Sequence, residues 1–288
     1  MMDHAFATIL KTGPGTSIQD LGRIGQSKYG IPVSGVMDER SFNWINHILK
    51  NKENEAVLEI AQPGFQIQFE GSTSVSIAGA NAKISLNGLE IDNAALIKIS
   101  PKDTLEIGAF ISGARVYLGI RFGFQTQEIL NSRSFYEGLT TQNQLSKGSK
   151  IPYFSDSEWS HRSFAKAKWT TDWYLSQELS TYPGPDFYLL SEETKTNLLS
   201  GTFKISPLSN RMGIQLEEKL ENELPELPTN PVYPGTVQLT SGGKIILLAK
   251  DAQVTGGYPR ILQLTPDSQS ILAQKRPGDA LHFKLLLP

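Results

Sequence analysis

Short runs in which apolar or β-branched residues alternate with polar ones recur along the whole chain. HAFATIL (4–10), AVLEIA (56–61), FQIQFE (65–70), SVSIAG (74–79), AKISLNG (82–88), ALIKIS (95–100), DTLEIG (103–108) and ARVYLGI (114–120) occupy the first half. DFYLL (186–190), GTFKISP (201–207), GTVQLT (235–240), KIILLA (244–249), RILQLT (260–265) and ALHFKLLL (280–287) occupy the second. Gly, Pro, Asn or Asp separate many of these runs, at intervals of roughly 8–12 residues, the spacing of short strands in a barrel or sandwich. The pattern predicts a mainly β protein whose antiparallel strands are half-buried. Asn87-Gly88 inside LNGLEI is a two-residue hairpin signal, since both residues tolerate the left-handed backbone that a tight turn requires.

Helical periodicity is scarce, so only a few short helices are expected. MDERSFNWINHILKN (37–51) places Phe42, Ile45 and Leu49 on one stripe, with Asp38 positioned to cap the first turn. SEETKTNLLSG (191–201) has Ser191 as N-cap, acids in its first turn and Gly201 as a stop. SEWSHRSFAKAKW (157–169) reads as a helical turn or as irregular chain. The stretch from 147 to 182 is the least strand-like. It suggests a first β-rich part over 1–150, a connector over 151–182 and a second part over 183–288.

Two further features stand out. SPKDTLEIG (100–108) and RPGDALHFK (276–284) both read Pro-x-Asp-x-Leu, a turn feeding a strand. The segment 216–235 carries five glutamates within 217–226 and four prolines. It reads as a solvated loop or as a docking edge for a basic partner.

Composition narrows the chemistry. A formal net charge of -2 over 288 residues gives no electrostatic case for nucleic acid or an anionic membrane. The chain has no cysteine, which excludes disulfides, thiolate catalysis and Cys-ligated zinc. His4, His47, His161 and His282 show no metal-ligand spacing, so no metal is expected. The N-terminal stretch lacks the features of a signal peptide, and no apolar run approaches the roughly 20 residues that span a bilayer. A soluble, cytoplasmic protein is expected.

Five polar, glycine-rich stretches adjoin strands and are the candidate site. In GPGTSIQDLGRIGQ (13–26), Gln19, Asp20 and Arg23 sit among glycines that let a backbone approach a ligand. Asp20 and Arg23 either pair with each other or leave Arg23 to grip a carboxylate or phosphate. Ser34 and Gly35 precede the Asp38 cap, where an anion could dock unless capping uses the same donors. Arg133 lies between Ser132 and Ser134, and Arg211 lies in SNRMG. The stretch DAQVTGGYPR (251–260) follows the most apolar strand run. There Gln253 can read an amide, Thr255, Gly256 and Gly257 offer a hydroxyl and backbone donors, and Tyr258 can stack on a ring. Neither GxxxxGK[ST] nor GxSxG occurs. The residue types suit recognition of carboxylate and amide and stabilisation of an oxyanion.

Taken together, SIQDLGRIGQSKYGIPVSGVMD, VLEIAQPG, NSRSFY, PLSNRMG, PGTVQL, DAQVTGGYPRI and AQKRPGDALHF occur in this order. The set resembles the allophanate hydrolase subunit 2 family, also described as carboxyltransferase subdomains A and B, over about residues 6–284. That family includes the C component of bacterial ATP-dependent 5-oxoprolinase and an antagonist of a sporulation-kinase inhibitor. Related segments occur in urea carboxylase. The resemblance implies two β-rich subdomains, at least one a cyclophilin-like barrel. It also implies a B-type partner carrying carboxyltransferase subdomains C and D, with an A-type protein in the complex. Its motifs carry onto Gln19, Asp20, Gly22 and Arg23; onto Gly35, Met37 and Asp38; onto Ser132, Arg133 and Ser134; and onto Thr255 to Pro259. Asn81 and Asn210 stand where the family usually has Asp, so two carboxylates are missing.

The expected function is therefore that of the C component of an ATP-dependent 5-oxoprolinase that opens 5-oxoproline to glutamate. Arg23, Arg133 and Arg211 would bind carboxylate or phosphate, with Asp20 as general base or arginine orienter. Gln19, Ser34, Gln253, Thr255, Gly256, Gly257 and Tyr258 would bind substrate. ATP would belong to the complex, on this chain or a partner. The alternatives are a regulatory protein that sequesters a kinase inhibitor, favoured by the missing carboxylates, and a carboxyltransferase that needs biotin on a carrier.

Overall fold

A computed structural model describes residues 3–91, 96–156, 169–225 and 227–286. The chain forms two compact units and passes between them three times. Unit 1 comprises Met1–Gly22 and Asp38–Thr171, and unit 2 comprises Arg23–Met37 and Asp172–Pro288. Both are built mainly of β-strands.

Unit 1 contains β1 (His4–Lys11), β2 (Ser17–Gln19), β3 (Val57–Ile60), β4 (Phe65–Phe69), β5 (Thr73–Leu86), β6 (Leu89–Glu90), β7 (Ile97–Ile99), β8 (Thr104–Ile120) and β9 (Lys150–Phe154), with helix α1 (Glu39–Ile48). The main path of its sheet runs β2-β3-β8-β4-β1-β9, and β5 pairs with β8 along its length. Runs expected as separate strands are joined here. SVSIAG and AKISLNG form the single β5, and DTLEIG and ARVYLGI form the 17-residue β8. Their pairing shifts register around Asn81 and Ala82, so bulges bend the ribbon where a break was expected. The hairpin at Asn87-Gly88 is present: Leu86 faces Leu89, and both turn residues have positive φ. Alternating residues of β4, Phe65, Ile67 and Phe69, enter a core shared with Ile9, Leu105, Ile107 and Leu118. Asp38 caps α1 by accepting from the Ser41 N–H at 3.0 Å, and Phe42, Ile45 and Leu49 are all buried, as the stripe predicts.

Unit 2 contains β10 (Glu178–Pro183), β11 (Phe203–Lys204), β12 (Gly213–Lys219), β13 (Asn230–Pro231), β14 (Thr236–Leu239), β15 (Lys244–Leu248), β16 (Thr255–Gly256), β17 (Arg260–Leu264) and β18 (Ala280–Leu285), with helices α2 (Glu192–Ser200) and α3 (Pro266–Ala273). Seven strands are ordered β11-β18-β10-β17-β14-β15-β12. The two ends of this sheet meet: Ile205, just after β11, bridges to Leu216 of β12, and the Ser206 N–H donates to Gln215 O at 2.9 Å. That contact makes the sheet a nearly closed barrel, filled by Leu179, Val237, Ile245, Leu247, Ile261, Leu281 and Phe283.

DFYLL, expected as a strand, holds a short 3-10 turn over Phe187–Leu189. Asp186 is bound by the first residue of β17, which takes this segment out of the sheet. Ser191 caps α2 as expected, but Gly201 stops it with extended rather than left-handed backbone. A Cβ there would lie 2.6 Å from Asn197 O, so the glycine serves close approach. Helix α3 was not expected, although Thr265 accepts from the Ser268 N–H and Pro266 begins the first turn. The segment expected as a connector contributes most of β9 to unit 1 and most of β10 to unit 2, while residues 157–168, all but the last of the possible helical turn, lie outside the described residues.

Candidate functional site

The expected site residues divide between the units. Gln19, Asp20 and Arg133 belong to unit 1, whereas Arg23, Ser34, Arg211 and the 251–260 stretch belong to unit 2.

In unit 1, Asp20 is buried at the end of β2. Its Oδ1 accepts from the Gly22 N–H at 2.8 Å, the Ser132 hydroxyl at 2.6 Å and the Ser134 hydroxyl at 2.7 Å. Its Oδ2 accepts from the Arg133 N–H at 2.6 Å. The Asp20 N–H in turn donates to Ser134 Oγ at 2.9 Å. One carboxylate therefore ties the QD motif to the Ser-Arg-Ser motif, with uncharged donors filling its lone pairs. The Arg133 side chain donates to Thr126 O and Gln125 Oε1 and lies 3.8 Å from Glu128 Oε2. Nearby Glu55 has its pKa raised, because burial outweighs the opposing charges of Arg133 and Lys52. Gln19 is also buried. Its amide donates to Ser17 Oγ at 2.9 Å, while its Oε1 has no partner among the described residues.

A second buried network in unit 1 escaped the sequence reading. The Tyr117 hydroxyl donates to Glu59 Oε2 at 2.9 Å and accepts from the Asp38 N–H at 3.1 Å. Burial, and then the Glu59 charge, push the Tyr117 pKa well above its ordinary value, so the phenol stays protonated and remains a donor. Arg115 Nε approaches Glu59 at 3.7 Å. Glu59 lies within the VLEIAQPG motif, and its polarity inside an apolar run was the available signal.

In unit 2, three consecutive residues are pinned by hydrogen bonds. Val33 O accepts from the Arg23 N–H at 2.7 Å, the Ser34 N–H donates to Lys250 O at 2.8 Å, and Gly35 O accepts from Arg211 Nη2 at 2.6 Å. Arg23 is buried. Ser34 is buried with a left-handed backbone, φ 57°, and its hydroxyl has no partner among the described residues. A strained, polar, orphaned residue of this kind is over-represented at functional sites. Arg211 forks onto Asp251, with Nε to Oδ2 at 2.8 Å and Nη2 to Oδ1 at 3.0 Å.

The stretch 251–260 begins at that fork and ends at another. Arg260 donates to Asp186 from its backbone N–H and from Nε, both at 2.9 Å. Burial alone would raise the Asp186 pKa, but the hydrogen bonds and charge of Arg260 outweigh it and bring it below the usual value. Between the forks, Gln253 and Thr255 are exposed, as is Tyr258. A Cβ on Gly257 would lie 3.0 Å from the backbone Leu227 O, a tight contact, and one on Gly256 would lie 2.8 Å from the amide end of the flexible Gln238 side chain. The chain thus displays an amide, a hydroxyl and a ring from a segment held rigidly at both ends.

Among the described residues, no group of His, Asp and Glu is arranged to hold a metal ion, and no helix is long and apolar enough to cross a membrane. Over 96% of its length the chain is 26% identical to the C subunit of 5-oxoprolinase from Escherichia coli, covering 89% of that protein. It is 28% identical, over 94% of its length, to urea amidolyase of Saccharomyces cerevisiae, but covers only 16% of that larger protein. The crystal structure of urea amidolyase from K. lactis superposes on all of this chain with a TM-score of 0.84 at 24% identity, a likeness of fold; the chain spans 19% of it. Residues 29–285 match the family model for the carboxyltransferase domain, subdomains A and B, and the chain belongs to that family.

Proposed function

We propose that this chain is the C component of a 5-oxoprolinase, which opens the lactam of 5-oxoproline to glutamate together with a B-type partner and an A-type protein. The observation that carries the reading is end-to-end correspondence: 96% of this chain aligns with 89% of the Escherichia coli protein.

On this reading the clamped 251–260 segment meets the substrate. Gln253, Thr255 and the backbone at Gly256 and Gly257 face the lactam, and Tyr258 covers its ring. Each unit offers its own anion-binding groups: in unit 1, Arg133 binds carboxylate or phosphate with the Gln19 carbonyl as a further polar group, and in unit 2, Arg23 does so with the Ser34 hydroxyl. Asp20 acts as the orienter of Arg133 rather than as a base, because four donors already occupy its carboxylate. Arg211 likewise positions Gly35 and Asp251, since its guanidinium is engaged by both. ATP supplies the driving force for an otherwise unfavourable ring opening. We place it on the partner side of the complex, given that the chain carries no GxxxxGK[ST] segment.

The test is co-expression with the B-type and A-type proteins, followed by an assay of glutamate release with and without ATP. ATP-dependent release that requires this chain is the expected result. Release that persists without it would overturn the proposal. The 28% identity to urea amidolyase supports a second reading, transfer of a carboxyl group from biotin. It predicts decarboxylation of carboxybiotin by the complex and no glutamate release.

A further inference from the structure

The proline-rich end of the acidic segment is not a loose loop. Pro225, Pro228, Pro231 and Pro234 recur every third residue, the period of a polyproline II helix. Two of their carbonyls are held by one strand: Pro231 O accepts from Arg260 Nη1 at 3.2 Å, and Pro234 O accepts from Gln263 Nε2 at 3.1 Å. Asn230 and Pro231 also pair with Gly256 and Thr255, and buried Val232 packs on Leu248 and Ala252. The segment is a strap fixed along β17.

Four exposed tyrosines surround that strand. Tyr233 is on the strap, and Tyr258 lies two residues before Arg260. Tyr188 follows Asp186, which Arg260 holds, and Tyr182 on β10 sits opposite Gln263. They are 56%, 38%, 73% and 46% exposed, respectively. An isolated exposed tyrosine needs no explanation. Four around a strap that prolines and charged forks have already ordered make a surface whose binding costs little conformational entropy. Tyrosine combines large apolar area with a polar tip, and is enriched at protein interfaces for that reason.

The border of this surface is acidic. Residues 217–226 hold five glutamates and one lysine. Of these, exposed Glu221 and Glu223 flank Asn222, which is anchored on Thr240 O, and the chain is fixed again at Leu227, whose N–H donates to Gly257 O at 2.8 Å beside Tyr258. Two copies of this surface would bring like charges together, which disfavours self-pairing.

We infer that Tyr182, Tyr188 and Tyr233 around β17, with the acidic border, form the docking surface for a basic segment of the B-type partner, Tyr258 at its edge being left to the substrate; the inference rests on the function proposed above. The experiment titrates that partner into this chain by calorimetry at two salt concentrations. A Tyr188→Ser/Tyr233→Ser double variant is expected to weaken binding about ten-fold or more. Glu221→Lys/Glu223→Lys is expected to weaken it several-fold at low salt and to flatten its salt dependence. Because all four residues are solvent-facing, each variant should keep the wild-type melting temperature, which serves as the folding control. Wild-type binding with undiminished binding by both variants overturns this surface alone. Absence of wild-type binding overturns the pairing itself, and the surface with it. Concentration-dependent dimerisation abolished by the tyrosine variant would assign the face to a second copy instead.

Discussion

Units 1 and 2 each hold a motif-bearing loop in place with aspartates, buried at Asp20 and Asp186 and half-buried at Asp251, but by different chemistry. Asp20 in unit 1 gathers hydroxyls and backbone N–H groups, all uncharged. Asp251 and Asp186 in unit 2 each accept the fork of an arginine. The first arrangement depends on acceptor count, because donors that lose a buried carboxylate are left unsatisfied. The second adds the opposite charge of an arginine, so it is weakened by the loss of either partner.

The largest effect is expected at the uncharged hub. Asp20→Ala should cost about 4 kcal/mol in a urea titration, the sum of several buried donors left without an acceptor. Asp20→Asn should recover little, since its amide turns an acceptor position into a donor that faces other donors. Arg260→Ala should cost about 2 kcal/mol, the value of hydrogen bonds to a charged group. The Asp186 clamp also carries a pH dependence. The Asp186 pKa is depressed in the folded protein, so its contribution is complete above the ordinary aspartate value of about 3.9 and fades as pH falls through the lower folded value. Urea midpoints measured from pH 7 to pH 2 should show that acid loss in the wild type and a reduced loss in Arg260→Ala. The smallest effect is expected for Arg211→Lys, which keeps the charge but not the fork. We expect about 1 kcal/mol of stability lost, with a rise in KM of the assembled complex as the 35 and 251 segments loosen. An Arg211→Lys protein as stable as wild type would show that charge alone suffices at this clamp.

Local signals in the sequence were dependable where one residue decides a local conformation. Asp38, Ser191 and the Asn87-Gly88 turn all act as read. The Pro-x-Asp-x-Leu echo is also real at this scale: Ser100 N–H donates to Asp103 Oδ2 at 2.7 Å, and Arg276 N–H to Asp279 Oδ2 at 2.8 Å. Lys102 and Gly278 hold the same left-handed position in the two turns, with φ 73° and 86°. Strand continuity was harder to see, because bulges let β5 and β8 run on through positions where polar residues and glycines suggested a break. Helix α3 was missed because its sequence has little amphipathic contrast, despite the Thr265 cap. Within the candidate site, the motifs were legible but their partners were not. Asp20 meets Ser132 across 112 positions, and Arg211 meets Asp251 across 40. Nothing in either motif names its distant partner, so Arg211 read as an anion grip although its anion is supplied by the chain itself.

The interleaved path of the chain also dictates an order of events at the ribosome. Residues 23–37 emerge early, yet the groups that fix them, Arg211 for Gly35 and Lys250 for Ser34, are translated far later. Unit 1 is fully synthesised by Thr171, with this excursion still awaiting its unit 2 partners. Folding of unit 2 must then recruit a segment made roughly two hundred residues earlier, a long closure that slows the final step. The excursion consequently waits for these partners until Lys250 has been made, and a truncated gene product beginning at Asp172 would lack one piece of its own barrel unit.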